Sequence, residues 1–168
     1  MKNKWTIIVF LITFILALLF SSLSNILGSL NNYFLIMATL LVISIGILFD
    51  TIGTASLSCD IRSLHSKASQ KIKGSKEAVM LAKNATKVSS ICNDVVGDIC
   101  GIVSGSLVTI LIANLFVNKD LSIYNIIITS VLSSLTVGGK ALGKTYAVKK
   151  SNDIIYRVGR IISSFKKN

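Results

Sequence analysis

Four long apolar runs, roughly 5–27, 33–58, 88–117 and 122–143, alternate along the chain with short polar segments. Each reaches the ~20 residues that a helix needs to cross a ~30 Å hydrocarbon core, so each is predicted to be a transmembrane helix. Proline is absent, and the breaks fall instead at Gly28-Ser29, Asn31-Asn32 and Asn118-Lys119-Asp120. The first and last connections are short, which makes two antiparallel hairpins. Residues 60–84, between the hairpins, read differently. Ile61, Leu64 and Ala68, then Ala78, Val79 and Ala82, are interspersed with Lys67, Lys71, Lys73, Lys76 and Lys83. Such a stretch is too charged to cross a bilayer and too apolar to float free. It is predicted to lie at the interface as two short amphipathic helices divided at Gly74.

Charge orients this pattern. Of the 18 Lys and Arg residues, all but Lys119 fall before the first run, between the second and third, or at and beyond the end of the fourth. By the positive-inside rule both termini and the 59–87 segment are cytoplasmic, in an inner or plasma membrane. Four crossings satisfy the arrangement and an odd number breaks it. The expected fold is therefore an all-α integral membrane protein: a single domain over 1–168, with four transmembrane helices, a cytoplasmic amphipathic insert and a basic cytoplasmic tail at 144–168. A mean hydropathy of +0.72 and 52% hydrophobic residues agree with it.

Four spans leave no room among 168 residues for a soluble catalytic domain. The formal charge of +11 fits anionic lipid headgroups better than nucleic acid, because the basic residues flank apolar runs without interleaved aromatic platforms. The first run is long for a signal peptide and lacks an A-x-A-like site, so it reads as an uncleaved helix. Cys59, Cys92 and Cys100 form no metal-spacing motif and read as inert thiols. His65 has no companion ligand and reads as an interfacial polar residue. No H-x-x-E, G-x-S-x-G or CxxC pattern points to catalysis.

The third run carries the chemistry. Asp94 and Asp98 are four apart and share a face of a helix, roughly 9 and 15 Å inward if the helix enters near Val88. A carboxylate at that depth costs a few kcal/mol or more, so it faces protein or water and marks a functional site by default. Gly97, Gly101 and Gly105 repeat at four-residue intervals, a small-xxx-small stripe suited to close packing with span two, span four or a second protomer. Ser90, Asn93 and Ser104 can hydrogen-bond across such an interface. On the fourth run Lys140 and Lys144 are also four apart, and spacing allows Asp94 and Asp98 to meet Lys140 and Lys144. Asp50 is a third intramembrane acid.

The order of these parts resembles the transmembrane domain of CNNM/CorC-type magnesium transporters. The correspondence runs from Phe49-Asp50-Thr51-Ile52-Gly53-Thr54-Ala55 through the 60–84 insert and the Ser90 to Gly97-Asp98 segment to Gly139-Lys140-Ala141-Leu142-Gly143-Lys144. It covers about two thirds of the chain and rests on order and topology rather than on any one motif. The resemblance implies a dehydrated magnesium ion held between helices by hydroxyls, a carboxamide and a carboxylate. Lys140 stands where the family's Glu would be and Gly143 where its Pro would be. An extra N-terminal span, 5–27, is added, and no CBS-pair domain follows.

Two readings follow. In one the chain is a CNNM-like transporter, or transporter subunit, for Mg²⁺ or Mn²⁺. It would be a homodimer through the glycine stripe, with Asp50, Ser90, Asn93, Asp94 and Asp98 as hard oxygen ligands. In the other the intramembrane acids are locked to Lys140 and Lys144, and the chain is a structural or regulatory membrane protein. The family resemblance favours the first, while repulsion between a divalent ion and the Lys140 ammonium, several kcal/mol at ~4 Å and an effective dielectric near 20, favours the second.

Overall fold

The computed structural model describes residues 2–27, 31–115 and 121–166. Every element among them is helical: α1 (Lys2–Leu27), α2 (Asn32–Ser58), α3 (Ile61–Ser69), α4 (Ser75–Lys83), α5 (Ala85–Ser89), a π-helical stretch (Ser90–Gly97), α6 (Asp98–Leu115), α7 (Leu121–Lys149) and α8 (Ser151–Phe165). Four segments are long and apolar enough to cross a membrane: Lys4–Ser22, Asn32–Ser58, Ala85–Leu115 and Ile123–Lys149. The chain divides into two compact units, Met1–Ile47 with Val95–Gly139, and Leu48–Asp94 with Lys140–Asn168.

In the first unit α1 packs along α6. Val95, Ile99, Val103, Leu107 and Leu111 recur every four residues, and with Leu35 they form the buried cluster, against which Val9, Leu16, Ala38 and Val42 close. The four-residue period puts all five on one helical stripe. Gly46 permits the approach of α2: a Cβ there would stand 2.9 Å from Cys100 Cβ. The outward faces stay apolar, with Phe10, Phe14, Leu18 and Leu19 on α1 all more than half exposed. Hydroxyls in these helices bond to their own backbone: Thr39 to the Leu35 carbonyl at 2.7 Å and Ser104 to that of Gly101 at 3.0 Å. The sequence offered Ser104 as a bond across a helix interface; the turn before it satisfies the hydroxyl instead.

The second unit is built on the 60–84 segment and the C-terminal helix. Asp60 caps α3, its carboxylate accepting from the Arg62 N–H at 3.0 Å and the Ser63 N–H at 3.4 Å. The helix closes with Ile72 N–H donating to the Lys67 carbonyl at 3.3 Å and Lys71 N–H to that of Ala68 at 3.0 Å. Lys71 takes the left-handed position (φ 55°) that glycine usually fills there. Gly74 follows at φ 86°, and a Cβ on it would collide with the Arg160 backbone. Gly159 is its counterpart, since a Cβ there would meet the Gly74 carbonyl oxygen at 2.5 Å. The two glycines let α4 and α8 cross almost backbone to backbone.

The residues read as a basic tail thus continue into a helix. In α8, Ile154, Ile155, Val158 and Ile162 face inward at helical spacing while Asp153, Arg157 and Arg160 face out. Ile155 joins Ala55, Leu64, Ala78, Val79 and Ala147 in the core of this unit. Asn152 Oδ1 accepts from the Asp60 N–H at 2.8 Å, and the Ser151 hydroxyl donates to the Ser58 carbonyl at 3.2 Å. Lys67 lies over the Tyr156 ring, 4.9 Å from its centroid.

Candidate functional site

Asp50 is 3% exposed, inside the second unit, on the half of α2 that approaches the π-helical stretch. Burying a carboxylate is costly unless it is paired and hydrogen-bonded. Its Oδ2 faces the Lys144 ammonium at 3.6 Å and accepts no hydrogen bond among the described residues. At that length the pair is ionic only. The two ends differ sharply: the Lys144 side chain is 52% exposed and that of Asp50 5%.

A second orphan acceptor lies one helical turn along α2. Gly53 is buried, and a Cβ on it would fall on Asn93 Oδ1. The carboxamide therefore rests directly on the Gly53 backbone. The Asn93 amide donates to Ser89 Oγ at 3.2 Å, which leaves its carbonyl oxygen turned to the α2 side, buried and without a hydrogen-bond partner. Asp50 and Gly53 are three residues apart, ~4.5 Å along the helix axis, so both oxygens gather on one face of α2. Ser56 ties this turn to the start of α5, donating to the Gly53 carbonyl at 2.7 Å and reaching that of Ala85 at 3.3 Å.

The π-helix is what carries Asn93 there. Its i→i+5 winding is uncommon and recurs at functional sites, where the wider turn re-aims side chains. Buried polar atoms are nearly always satisfied, and those that are not call for an explanation. Both orphans here are acceptors, which demand a donor or a cation. One carboxylate, one carboxamide oxygen and a neighbouring hydroxyl make a hard oxygen set of the kind that Mg²⁺, Mn²⁺ or Ca²⁺ accepts. No cluster of three or more His, Cys, Asp or Glu residues is present among the described residues.

The other residues singled out from the sequence sit elsewhere. Asp94 and Asp98 are both exposed, while Ser90 is half-buried beside Ser89. Lys144 closes on Asp50, not on Asp94 or Asp98, and Lys140 is half-buried. Gly97 is buried, but a Cβ on Gly101 or Gly105 would have nothing within 4 Å. Lys119, the lone cation assigned to the outer face, lies outside the described residues. Gly53 and Ser89 were not singled out at all. Their signals were faint, a glycine one turn beyond an intramembrane acid and a hydroxyl four residues before the asparagine.

No family model, no curated protein and no solved structure matches the chain.

Proposed function

We propose that the chain is an integral membrane protein of the CNNM-like type. It would transport a divalent cation, Mg²⁺ or Mn²⁺, alone or as a transporter subunit, with Asp50, Asn93 and Ser89 at the ion site. The observation that carries this reading is the pair of buried, unsatisfied acceptors, Asp50 Oδ2 and Asn93 Oδ1, gathered on one face of α2. Buried hydroxyls such as those of Thr39 and Ser104 bond to the preceding turn, whereas these two oxygens are left without a hydrogen bond among the described residues. Both termini and the α3–α4 region lie on the cytoplasmic side of the inner or plasma membrane, among anionic headgroups.

Lys144 decides how the site works. An ammonium fixed at ~4 Å would repel a divalent ion by several kcal/mol. The Lys144 side chain is half exposed, however, so its ammonium has room to move away from the carboxylate. The arriving ion can displace the ammonium into water. Lys144 then serves as a resident counter-cation that keeps Asp50 neutralised while the site waits.

A second copy of the chain supplies the other surface. The open Gly101 and Gly105 positions lie on the helix that also exposes Asp94 and Asp98, and exposed carboxylates within a span need protein or water around them. A homodimer through α6 covers them or encloses them in an aqueous path. Ser90, Asp94 and Asp98 then line the approach rather than the site itself.

The Asp50–Lys144 pair also favours a second reading, in which the pair is a permanent clamp in a structural or regulatory subunit. Thermal stabilisation by Mg²⁺ and Mn²⁺, measured on the wild type and on Lys144→Gln, separates the two. The transporter reading expects stabilisation in both and more in the variant. The clamp expects none in either, and both readings expect the ion-free variant to be less stable.

A further inference from the structure

The α3–α4 turn and the last turns of α8 surround a cavity of about 520 Å³. Lys71, Lys73 and Lys76 stand on its rim with Glu77 as the one carboxylate, and Ser163 of α8 closes the far side. None of the three lysines forms an ion pair among the described residues, although Glu77 is close at hand. A charge run on a helix usually dissolves into solvent; here three lysines without an ion pair among the described residues line one concave space.

The scaffold beneath them is fixed. Lys71 is held in a left-handed conformation that costs an L-residue about 1–2 kcal/mol, so tertiary packing, not its own preference, sets the turn. Gly74 is pinned against the Arg160 backbone. The lining is not purely polar, because Ile72 is 38% exposed within it. Cations around a cavity whose lining includes the exposed apolar side chain of Ile72 suit an amphiphile: an anionic headgroup attached to an acyl tail.

We propose that this cavity is a discrete binding site for an anionic glycerophospholipid, its headgroup phosphate held by Lys71, Lys73 and Lys76 and its glyceryl and acyl portion lying along Ile72. The site goes beyond the general attraction of a basic face to a membrane and rests on the membrane reading above. It does not depend on ion transport.

The test uses the full chain reconstituted in nanodiscs of phosphatidylcholine with a minor share of phosphatidylglycerol, then extracted in mild detergent, with the retained lipid counted by mass spectrometry. The wild type is expected to retain phosphatidylglycerol in preference to phosphatidylcholine. A lysine near an anionic surface contributes about a fivefold effect before screening, so K71Q/K73Q/K76Q should lower that preference by about tenfold or more. The control K149Q/K150Q/R157Q, with the same charge change on another face, should lower it by no more than about twofold. An equal loss in both variants, or no loss in the first, overturns the proposal. Displacement of the lipid by millimolar inorganic phosphate also overturns it and makes the cavity a free-anion site. Failure of the wild type to enter nanodiscs defeats the membrane reading itself, which is a separate result.

Discussion

Lys144 holds its ammonium 3.6 Å from Asp50 Oδ2, with the lysine side chain half exposed and the carboxylate buried. The asymmetry makes one partner replaceable and the other not. Lys144→Gln is expected to lower the thermal midpoint without divalent ion, because it leaves the buried carboxylate unpaired, and to tighten Mg²⁺ binding by about tenfold, ~1.4 kcal/mol of relieved repulsion. Calorimetry on the purified variant measures it. A weaker or unchanged affinity would make the pair a clamp.

Gly53→Ala tests the carboxamide's seat. A Cβ at this position falls on Asn93 Oδ1, so the carboxamide must swing away or the helices must part. Overpacking of this kind costs about 1–3 kcal/mol, and a matching fall in thermal midpoint is expected together with loss of divalent stabilisation. Gly101→Ala is the contrast. Its Cβ meets nothing, and the change should be neutral or slightly stabilising in detergent by helix propensity, up to about 1 kcal/mol.

The same open position tests the proposed dimer. Gly101→Leu should leave the protomer folded and lower the dimer fraction measured by light scattering or cross-linking, because a large side chain separates helices that meet at glycine. A monomeric wild type, or an undisturbed dimer in the variant, would remove α6 from the interface.

Cys59, just beyond the end of α2, reports on both burial and topology. Burial pushes its thiol above the usual range, and the neighbouring Asp60 charge adds to the rise. A raised pKa means less thiolate at neutral pH. With Cys92 and Cys100 replaced by Ala, maleimide should label Cys59 slowly at pH 7 and faster as the pH rises, whereas an exposed His65→Cys should label promptly. Both should react only from the cytoplasmic side. Labelling of His65→Cys from outside the cell would reverse the orientation.

The apolar helices were legible because runs of ~20 apolar residues have few alternatives, and Gly74 marked the break between α3 and α4 because only glycine adopts its conformation cheaply. Helix α8 was obscured. Its Ile154, Ile155, Val158 and Ile162 stripe was present, but the flanking lysines and arginines drew the segment toward a solvated tail. The π-helix leaves no pattern in hydrophobicity from which it could be read. Asp94 and Asp98 looked strongest as a site because their spacing was visible. Which helix face meets protein, and therefore that buried Asp50 and not the exposed pair attracts Lys144, depends on packing that spacing alone does not encode.

Calorimetric titration of Mg²⁺ and Mn²⁺ into the full chain in detergent, beside Asp50→Asn, Asn93→Ala and Asp94→Asn/Asp98→Asn, tests the ion site most directly. Saturable binding is expected in the wild type. It should vanish in Asp50→Asn, weaken by about tenfold in Asn93→Ala, and stay within about twofold in the Asp94→Asn/Asp98→Asn variant, in keeping with the typical worth of one charged or neutral ligand. Absence of saturable binding in the wild type, or binding that survives Asp50→Asn, would contradict a cation site at Asp50 and Asn93.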